Sequence, residues 1–114
     1  LIGGFAQGLG EALMEAVQYD EDGQLLTGSF MDYALPRAED MPPLRLASLC
    51  SPSPTNVLGA KGLGEAATIA APCAILNAAL DALAPLGITD LDMPLTPCRL
   101  WHAITAATTQ KETS

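Results

Sequence analysis

The chain has 114 residues, 49% of them hydrophobic, and five basic residues stand against thirteen acidic ones, for a net charge of -8. A chain of this length forms one domain or part of one, and its hydrophobic content favours a packed core over disorder. The acidic charge disfavours a nucleic-acid partner, whose phosphates require clustered Lys and Arg, and also disfavours an anionic membrane surface. We therefore expect a compact domain with neither partner.

Three cysteines, Cys50, Cys73 and Cys98, lie far apart in the sequence without a CxxC pair. An odd number at this spacing is a poor disulfide framework and a poor zinc site. We expect buried or partly buried thiols in a reducing, cytoplasmic environment. His102 is the only histidine, so the sequence assembles no convincing Ser-His-Asp triad or metal site of its own.

The first predicted element is an amphipathic helix over residues 3–18, where apolar residues recur at steps of three and four. Its glycines, at positions 3, 4, 8 and 10, each weaken an exposed helix by up to about 1 kcal/mol. So many glycines in one helix indicate the close approach of another backbone or a ligand. The Asp-Glu-Asp-Gly sequence at 20–23 then predicts a turn.

Two short strands are predicted next, at residues 25–30 and 44–49, the second on its alternation of apolar and polar side chains. The proline-containing segment 31–43 between them is predicted to be an irregular crossing loop.

A second helix is predicted from Glu65 to about Leu83, with Pro72 in its early part. The apolar run at 66–84 approaches the length of a membrane span, but it is mostly alanine and contains a proline, an asparagine and an aspartate. We interpret it as a buried helix of a soluble protein, with no membrane insertion. Thr96-Pro97 predicts the start of a third helix, which frays into a polar tail over residues 108–114.

These elements give an α+β pattern of about three helices with two or more short strands. So few strands cannot close a sheet independently.

The segment Gly59-Ala-Lys61-Gly62-Leu-Gly64-Glu65 carries the strongest chemical signal. Its glycines let a ligand approach the main chain, and the helix start offers unpaired N–H groups and a partial positive charge. These features favour an ionised Glu65, which makes it a candidate general base. A purely structural explanation stays open at this stage, namely a glycine-rich turn followed by an acidic residue that stabilises the helix dipole. Neither the P-loop nor the dinucleotide-binding fingerprint is matched.

The pattern Gly-Leu-Gly-Glu-Ala also occurs at residues 8–12, inside the first predicted helix. The flanking sequences differ, so we do not interpret the two copies as a structural repeat, and Glu11 is predicted to be a solvated helix charge. Gln7 is the polar residue among these glycines that could reach a ligand. Its structural alternative is an ordinary amide on the helix surface.

Four stretches together resemble the molybdenum-binding subunit of the xanthine dehydrogenase, aldehyde oxidase and carbon monoxide dehydrogenase family. They match in order and spacing across nearly the whole chain, and the Gly-Ala-Lys-Gly-x-Gly-Glu block is the most specific. They are Gly3-Gly-Phe-Ala-Gln7-Gly-Leu-Gly10, Gly28-Ser-Phe-Met-Asp32-Tyr33-Ala-Leu-Pro36, Ser53-Pro-Thr-Asn56 leading into the Gly59–Glu65 segment, and Asp92-Met-Pro-Leu-Thr-Pro97.

The resemblance implies that residues 1–114 are the C-terminal part of a molybdopterin-binding domain in a much longer subunit. Family members hydroxylate aldehydes or N-heterocycles with water as the oxygen source, or oxidise carbon monoxide. The implied cofactor is molybdopterin with molybdenum, in bacteria commonly the cytosine dinucleotide form, shared with residues upstream of Leu1. Iron–sulfur clusters and FAD are implied on partner domains or chains.

The resemblance also places the family's catalytic glutamate at Glu65, as the general base that takes a proton from the water-derived oxygen. Gln7 matches a glutamine near the pterin, and Lys61, Gly62 and Gly64 match the loop that lines the same cavity. The resemblance assigns no metal ligand to this chain and places the remaining cofactor contacts and the substrate-selecting loops upstream of Leu1, so the fragment alone is expected to be inactive. The alternative is a non-catalytic structural or assembly module that keeps the fold. A stand-alone anion-binding domain is disfavoured because the Glu65 carboxylate would repel an anion.

Overall fold

The computed structural model describes residues 1–112. It contains the three predicted helices: α1 (Ile2–Leu13), α2 (Ala66–Leu83) and α3 (Pro97–Glu112). Two short 3-10 turns, at Ala38–Asp40 and Ala84–Leu86, are the other regular elements of this part of the chain.

The predicted strands are wrong: residues 25–30 and 44–49 form no strand within the described part of the chain. An isolated antiparallel bridge joins Tyr19 to Leu25 and closes the predicted turn at 20–23, in which Gly23 has a φ of 81°. A strand is stable only when a neighbouring strand pairs its backbone groups, and none of the described residues forms a strand beside residues 44–49. The α+β prediction therefore becomes three helices joined by long irregular segments.

Helix α1 ends at Leu13, five residues before its predicted end. The backbone N–H groups of Met14 and Glu15 both donate to the Gly10 carbonyl, at 2.9 and 2.8 Å, which closes the last turn. The Glu15 carboxylate then accepts a hydrogen bond from the Tyr33 hydroxyl at 2.5 Å. This long-range contact draws the chain away from the helix axis, although the apolar periodicity continues.

Helix α3 begins where Thr96-Pro97 predicts. The Thr96 carbonyl accepts from the Leu100 N–H at 3.0 Å, and the Thr96 hydroxyl accepts from the Arg99 N–H at 3.4 Å. The helix continues through Thr108 to Glu112, so the predicted fraying from Thr108 is wrong as far as Glu112. Residues 113–114 of the predicted tail lie outside the described residues.

Helices α1 and α2 pack face to face, and glycines in α1 make the approach possible. A Cβ at Gly8 would lie 2.8 Å from the Ala71 Cβ, which is closer than side-chain carbons come. Buried hydrophobic side chains concentrate near this contact and number few among the described residues: Leu9, Ala12, Ala71 and Leu95. Two of the four glycines of α1, Gly4 and Gly8, thus face α2 closely, as the predicted approach of another backbone requires, whereas Gly10 faces Pro36 and Gly3 meets nothing within 4 Å.

The described chain is extended rather than compact. Its radius of gyration is 18.5 Å, whereas a compact domain of this length has a value of about 13 Å. Helix α2 with the following turn, Ala66–Leu86, is long and apolar enough to span a membrane by length and composition, with a mean hydropathy of 1.6. Only 11% of that stretch is buried, so the predicted burial of this helix is not met within this chain. Cys50, Cys73 and Cys98 are likewise exposed rather than buried.

Candidate functional site

A cleft of ≈ 530 Å³ lies between α1 and the start of α2. Helix α1 contributes Gln7 and Glu11, which share a face because they are four residues apart. The other walls come from the loop before α2, from α2 itself and from the segment before α3. The residues they contribute are Gly64, Glu65, Thr68, Ile69, Pro72, Cys73 and Met93.

Glu65 stands at the N-cap position of α2, and its backbone carbonyl accepts the helical hydrogen bond from Ile69 at 2.9 Å. Its side chain makes no capping hydrogen bond and is exposed at the cleft. The partial positive charge of the helix start favours a carboxylate at this position. Glu65 therefore presents a free carboxylate to whatever occupies the cleft.

Gln7 faces the same cleft from α1, and Thr68 connects the two helices beside it. The Thr68 hydroxyl donates to the Gly4 carbonyl at 3.0 Å and lies 3.3 Å from the Gln7 Oε1. Because Thr68 is one turn from Glu65, this contact brings the Gln7 amide and the Glu65 carboxylate into one site.

The loop that leads to Glu65 is held by Asn56. Its side chain accepts from the Ala60 N–H and donates to the Ala60 carbonyl, both at 2.9 Å. Gly59 closes this loop with a φ of +64°, and its carbonyl accepts from the Ser53 N–H at 2.9 Å. A side chain at Gly59 would be strained by this φ and would lie 2.9 Å from the Pro52 Cβ. The Ser53–Asn56 stretch therefore fixes the path of the glycine loop.

The segment before α3 completes the cleft. The Leu95 N–H donates to the Ala12 carbonyl at 2.7 Å, and the Leu95 side chain is only 2% exposed. This anchor at the end of α1 brings Met93 to the cleft wall.

Three of the five residues predicted for the site, Gln7, Gly64 and Glu65, meet in this cleft. Gly62 lines an adjoining depression of ≈ 480 Å³ that also includes Gly64 and Glu65. Lys61 lies apart from both, and its ammonium donates to the Ser51 hydroxyl at 3.0 Å. The structure therefore gives Lys61 a place in the loop rather than in the cleft wall.

Sequence reasoning did not identify Thr68 or Met93, and it assigned Glu11 to solvent alone. The spacing of Thr68 from Glu65 along one helix was a usable signal for its position. Nothing local marks Met93, because its place depends on the contact between Leu95 and Ala12. Another cleft, of ≈ 490 Å³ along residues 30–37, includes neither Gln7 nor the glycine loop, and we assign it no role.

Within residues 1–112, no group of three or more His, Cys, Asp or Glu side chains could hold a metal ion. His102 packs edge-on against Trp101 on α3, with the ring centroids 4.9 Å apart. The polar side chains that line the cleft are the carboxylates of Glu11 and Glu65, the Gln7 amide, the Thr68 hydroxyl and the Cys73 thiol.

Comparison with known proteins shows what this chain is similar to. The model of the molybdopterin cofactor-binding domain matches residues 1–42. The large subunit of nicotine 6-hydroxylase from Paenarthrobacter nicotinovorans is 43% identical over 89% of this chain and 12% of its own length. Quinoline 2-oxidoreductase from Pseudomonas putida 86 superposes with a TM-score of 0.85, at 44% identity over 91% of this chain and 13% of that chain. The Cu,Mo-CO dehydrogenase superposes with a TM-score of 0.87, at 34% identity over 93% of this chain and 13% of that chain.

The chain belongs to the family of molybdenum-binding large subunits. This is the family of xanthine dehydrogenase, aldehyde oxidase and carbon monoxide dehydrogenase that the four sequence stretches resemble. The chain spans about an eighth of the length of these relatives. The small core and extended shape of the chain are those expected of one part of a larger molybdenum subunit.

Proposed function

We propose that residues 1–114 are the C-terminal part of the molybdopterin-binding domain of a molybdenum hydroxylase, and that Glu65 is its general base. The observation that carries the proposal is the convergence of Gln7, Gly64 and Glu65 on one cleft from separate segments. A purely local role for the glycine loop, as a turn before a helix, gives no reason for Gln7 to meet Glu65 there.

The residues of the cleft fit an acceptor-rich cofactor such as molybdopterin. The Gln7 amide offers N–H donors, and the first turn of α2 offers backbone N–H groups that have no partner within a helix. A Cβ at Gly62 or Gly64 would meet nothing within 4 Å, so the space beside this loop is open to a ligand. We propose that Gln7, Gly62 and Gly64 contact the cofactor and that Lys61 supports the loop through Ser51. The bound molybdenum cofactor, in its cytosine dinucleotide form, would supply the two-electron oxidation.

The Glu65 side chain would accept the proton that water loses as its oxygen is transferred to the substrate carbon. A general base must be free to take a proton and must lie within hydrogen-bonding reach of it. Glu65 meets the first condition, because its carboxylate is exposed at the cleft and makes no capping bond. General-base catalysis of this kind contributes a factor of about 10²–10⁴ to rate.

The substrate class is an aldehyde, an N-heterocycle or carbon monoxide, and N-heterocycles should be assayed first. Nicotine and quinoline, in the names of two relatives, are both N-heterocycles. These relatives share 43% and 44% identity with the chain, against 34% for the Cu,Mo-CO dehydrogenase.

We further propose that the remainder of the large subunit covers the exposed apolar surface of this chain, and that iron–sulfur and flavin subunits complete a cytoplasmic complex. Large apolar side chains in three separate regions support the first part, since Met31, Leu49 and Val57 are each at least 96% exposed. They belong to seventeen exposed large apolar side chains among the described residues, against four buried hydrophobic residues, and a free domain of this length buries a larger share of its apolar surface.

The test is mass spectrometry of the purified native protein, combined with elemental analysis for molybdenum. The proposal predicts longer partner polypeptides and stoichiometric molybdenum with a pterin. The second candidate function, a structural or assembly module, predicts partner chains without molybdenum. That result would remove the catalytic proposal and keep the family assignment.

A further inference from the structure

The Thr68 side chain is the one described side chain that hydrogen-bonds across from α2 to α1 beside Gln7. It is partly buried, lines the cleft with Glu65, and contacts both the Gly4 carbonyl and the Gln7 amide. From this geometry we infer that Thr68 is a positioning residue: its hydroxyl fixes the Gln7 amide toward the ligand of the cleft. The inference rests on the proposed function, since it assigns Gln7 a ligand.

The two ends of the Gln7 amide differ in what they offer to a ligand. A glutamine amide has an acceptor oxygen and an NH₂ group with two donors. The single proton of the Thr68 hydroxyl is shared in a three-centre hydrogen bond between the Gly4 carbonyl at 3.0 Å and the Gln7 amide oxygen at 3.3 Å, so the oxygen end of the amide is held against α2. The NH₂ end is then left for an acceptor in the cleft. Without the hydroxyl, the amide can turn over and offer the ligand either end.

The Thr68 hydroxyl is itself held in one orientation. Thr68 is β-branched, so its χ1 angle is strongly restricted within a helix. Its proton also has a near acceptor in the Gly4 carbonyl at 3.0 Å, a backbone group of α1. A Cβ at Gly4 would lie 3.3 Å from the Thr68 Oγ1 and 3.1 Å from the Ala67 Cβ. Glycine at position 4 therefore lets the hydroxyl reach the backbone of α1.

The roles of Thr68 and Glu65 in the cleft differ. Thr68 acts on the ligand through Gln7, whereas Glu65 is proposed to take the proton directly. Removal of the Thr68 hydroxyl should therefore weaken the contact between the Gln7 amide and the ligand. It should leave the Glu65 carboxylate in place as the proton acceptor. A hydrogen bond that only joined α1 to α2 would instead act on all the cleft residues, with or without the Gln7 side chain.

The experiment is a double-mutant cycle in the complete enzyme with Thr68→Val, which keeps the branched shape, and Gln7→Ala. Turnover is measured together with molybdenum and pterin content per large subunit. We expect Thr68→Val to lower turnover about tenfold in the wild-type background and less than about twofold in the Gln7→Ala background. Thr68→Ser, which keeps the hydroxyl, should restore turnover to within about twofold of wild type.

Equal losses from Thr68→Val in both backgrounds would overturn the inference, as would wild-type turnover in Thr68→Val. If Thr68→Val does not assemble with its partners while Thr68→Ser does, the hydroxyl has a structural role and the inference also fails. The proposed function fails separately, since it requires molybdenum in the wild-type enzyme and loss of turnover on removal of the Glu65 carboxylate.

Discussion

Gly8 lies so close to Ala71 that a Cβ added to the glycine would be 2.8 Å from the alanine Cβ. The same added carbon would lie 3.0 Å from the Pro72 Cδ, and neither neighbour can move without shifting α2. Gly8 directly follows Gln7, so this close contact between the helices lies beside a residue that lines the cleft.

Gly8→Ala should therefore separate α1 from α2, at an overpacking cost of about 1–3 kcal/mol. Hydrogen exchange of the complete subunit, followed by mass spectrometry, should show faster exchange in peptides that cover α1. Gly3→Ala is the matched control in the same helix, because a Cβ there meets nothing within 4 Å. It should leave exchange unchanged or slower, since alanine favours a helix by up to about 1 kcal/mol. Equal effects of the two substitutions would contradict the packing account.

Asn56 holds the loop that contains Lys61 and leads to Glu65. Asn56→Ala removes both hydrogen bonds to Ala60, whereas Asn56→Asp keeps the acceptor for the Ala60 N–H and loses the donor. Trypsin cleavage after Lys61 in the complete subunit reports on the order of this loop. We expect the cleavage rate to rise from wild type to Asn56→Asp and again to Asn56→Ala. The same rate in all three proteins would show that Asn56 does not hold the loop.

The hydrogen bond between Tyr33 and Glu15 should make the stability of the end of α1 depend on pH. The hydrogen bond to Glu15 raises the pKa of Tyr33, and desolvation and the negative charges of Glu15 and Glu11 act in the same direction. A phenolate cannot donate a hydrogen bond, so the stabilisation of the fold by the bond from Tyr33 to Glu15 is fully present below the ordinary pKa of tyrosine. It is lost as the pH rises through the higher pKa of the folded protein.

Glu15→Gln should therefore lower the pKa of Tyr33, because a neutral amide oxygen accepts a weaker hydrogen bond than a carboxylate and the charge that opposes the phenolate is removed. Ultraviolet absorbance titration measures this pKa, and subtraction of the Tyr33→Phe titration isolates the signal of Tyr33. An unchanged Tyr33 pKa in Glu15→Gln would remove Glu15 as the cause.

Local signals in the sequence predicted the presence of the three helices and the starts of α2 and α3. They failed where contacts between residues distant in sequence determine the structure. Thr96-Pro97 marked the start of α3, and the glycine loop marked the start of α2, because capping and proline placement act within a few residues. The end of α1 depends on Glu15 and Tyr33, which are distant in sequence. Residues 44–49 have the alternation of a strand, yet a strand also needs a pairing partner, which the described chain does not provide.

The residues of the candidate site also separate into those that a local pattern predicts and those that only tertiary contacts bring to the cleft. Glu65 and Gly64 are adjacent in a recognisable loop, so their pattern was enough to propose them. The meeting of Gln7 with Glu65 followed from the family resemblance rather than from periodicity. Thr68 and Met93 reach the cleft through tertiary contacts, with Gly4 and through Leu95, that no local pattern encodes. The exposed apolar surface was also missed, because composition predicts how much apolar surface exists and not which molecule covers it.

The central claim is that the Glu65 carboxylate takes the proton, and the most direct test is turnover of the complete enzyme carrying Glu65→Gln. Glu11→Gln is the comparator. Glu11 lies in the other copy of the Gly-Leu-Gly-Glu-Ala pattern and lines the same cleft, but from the middle of a helix. We predict that Glu65→Gln lowers turnover by a factor of about 10²–10⁴ with molybdenum content unchanged, and that Glu11→Gln has a much smaller effect. Turnover of Glu65→Gln near the wild-type value, in enzyme with full molybdenum content, would contradict the claim.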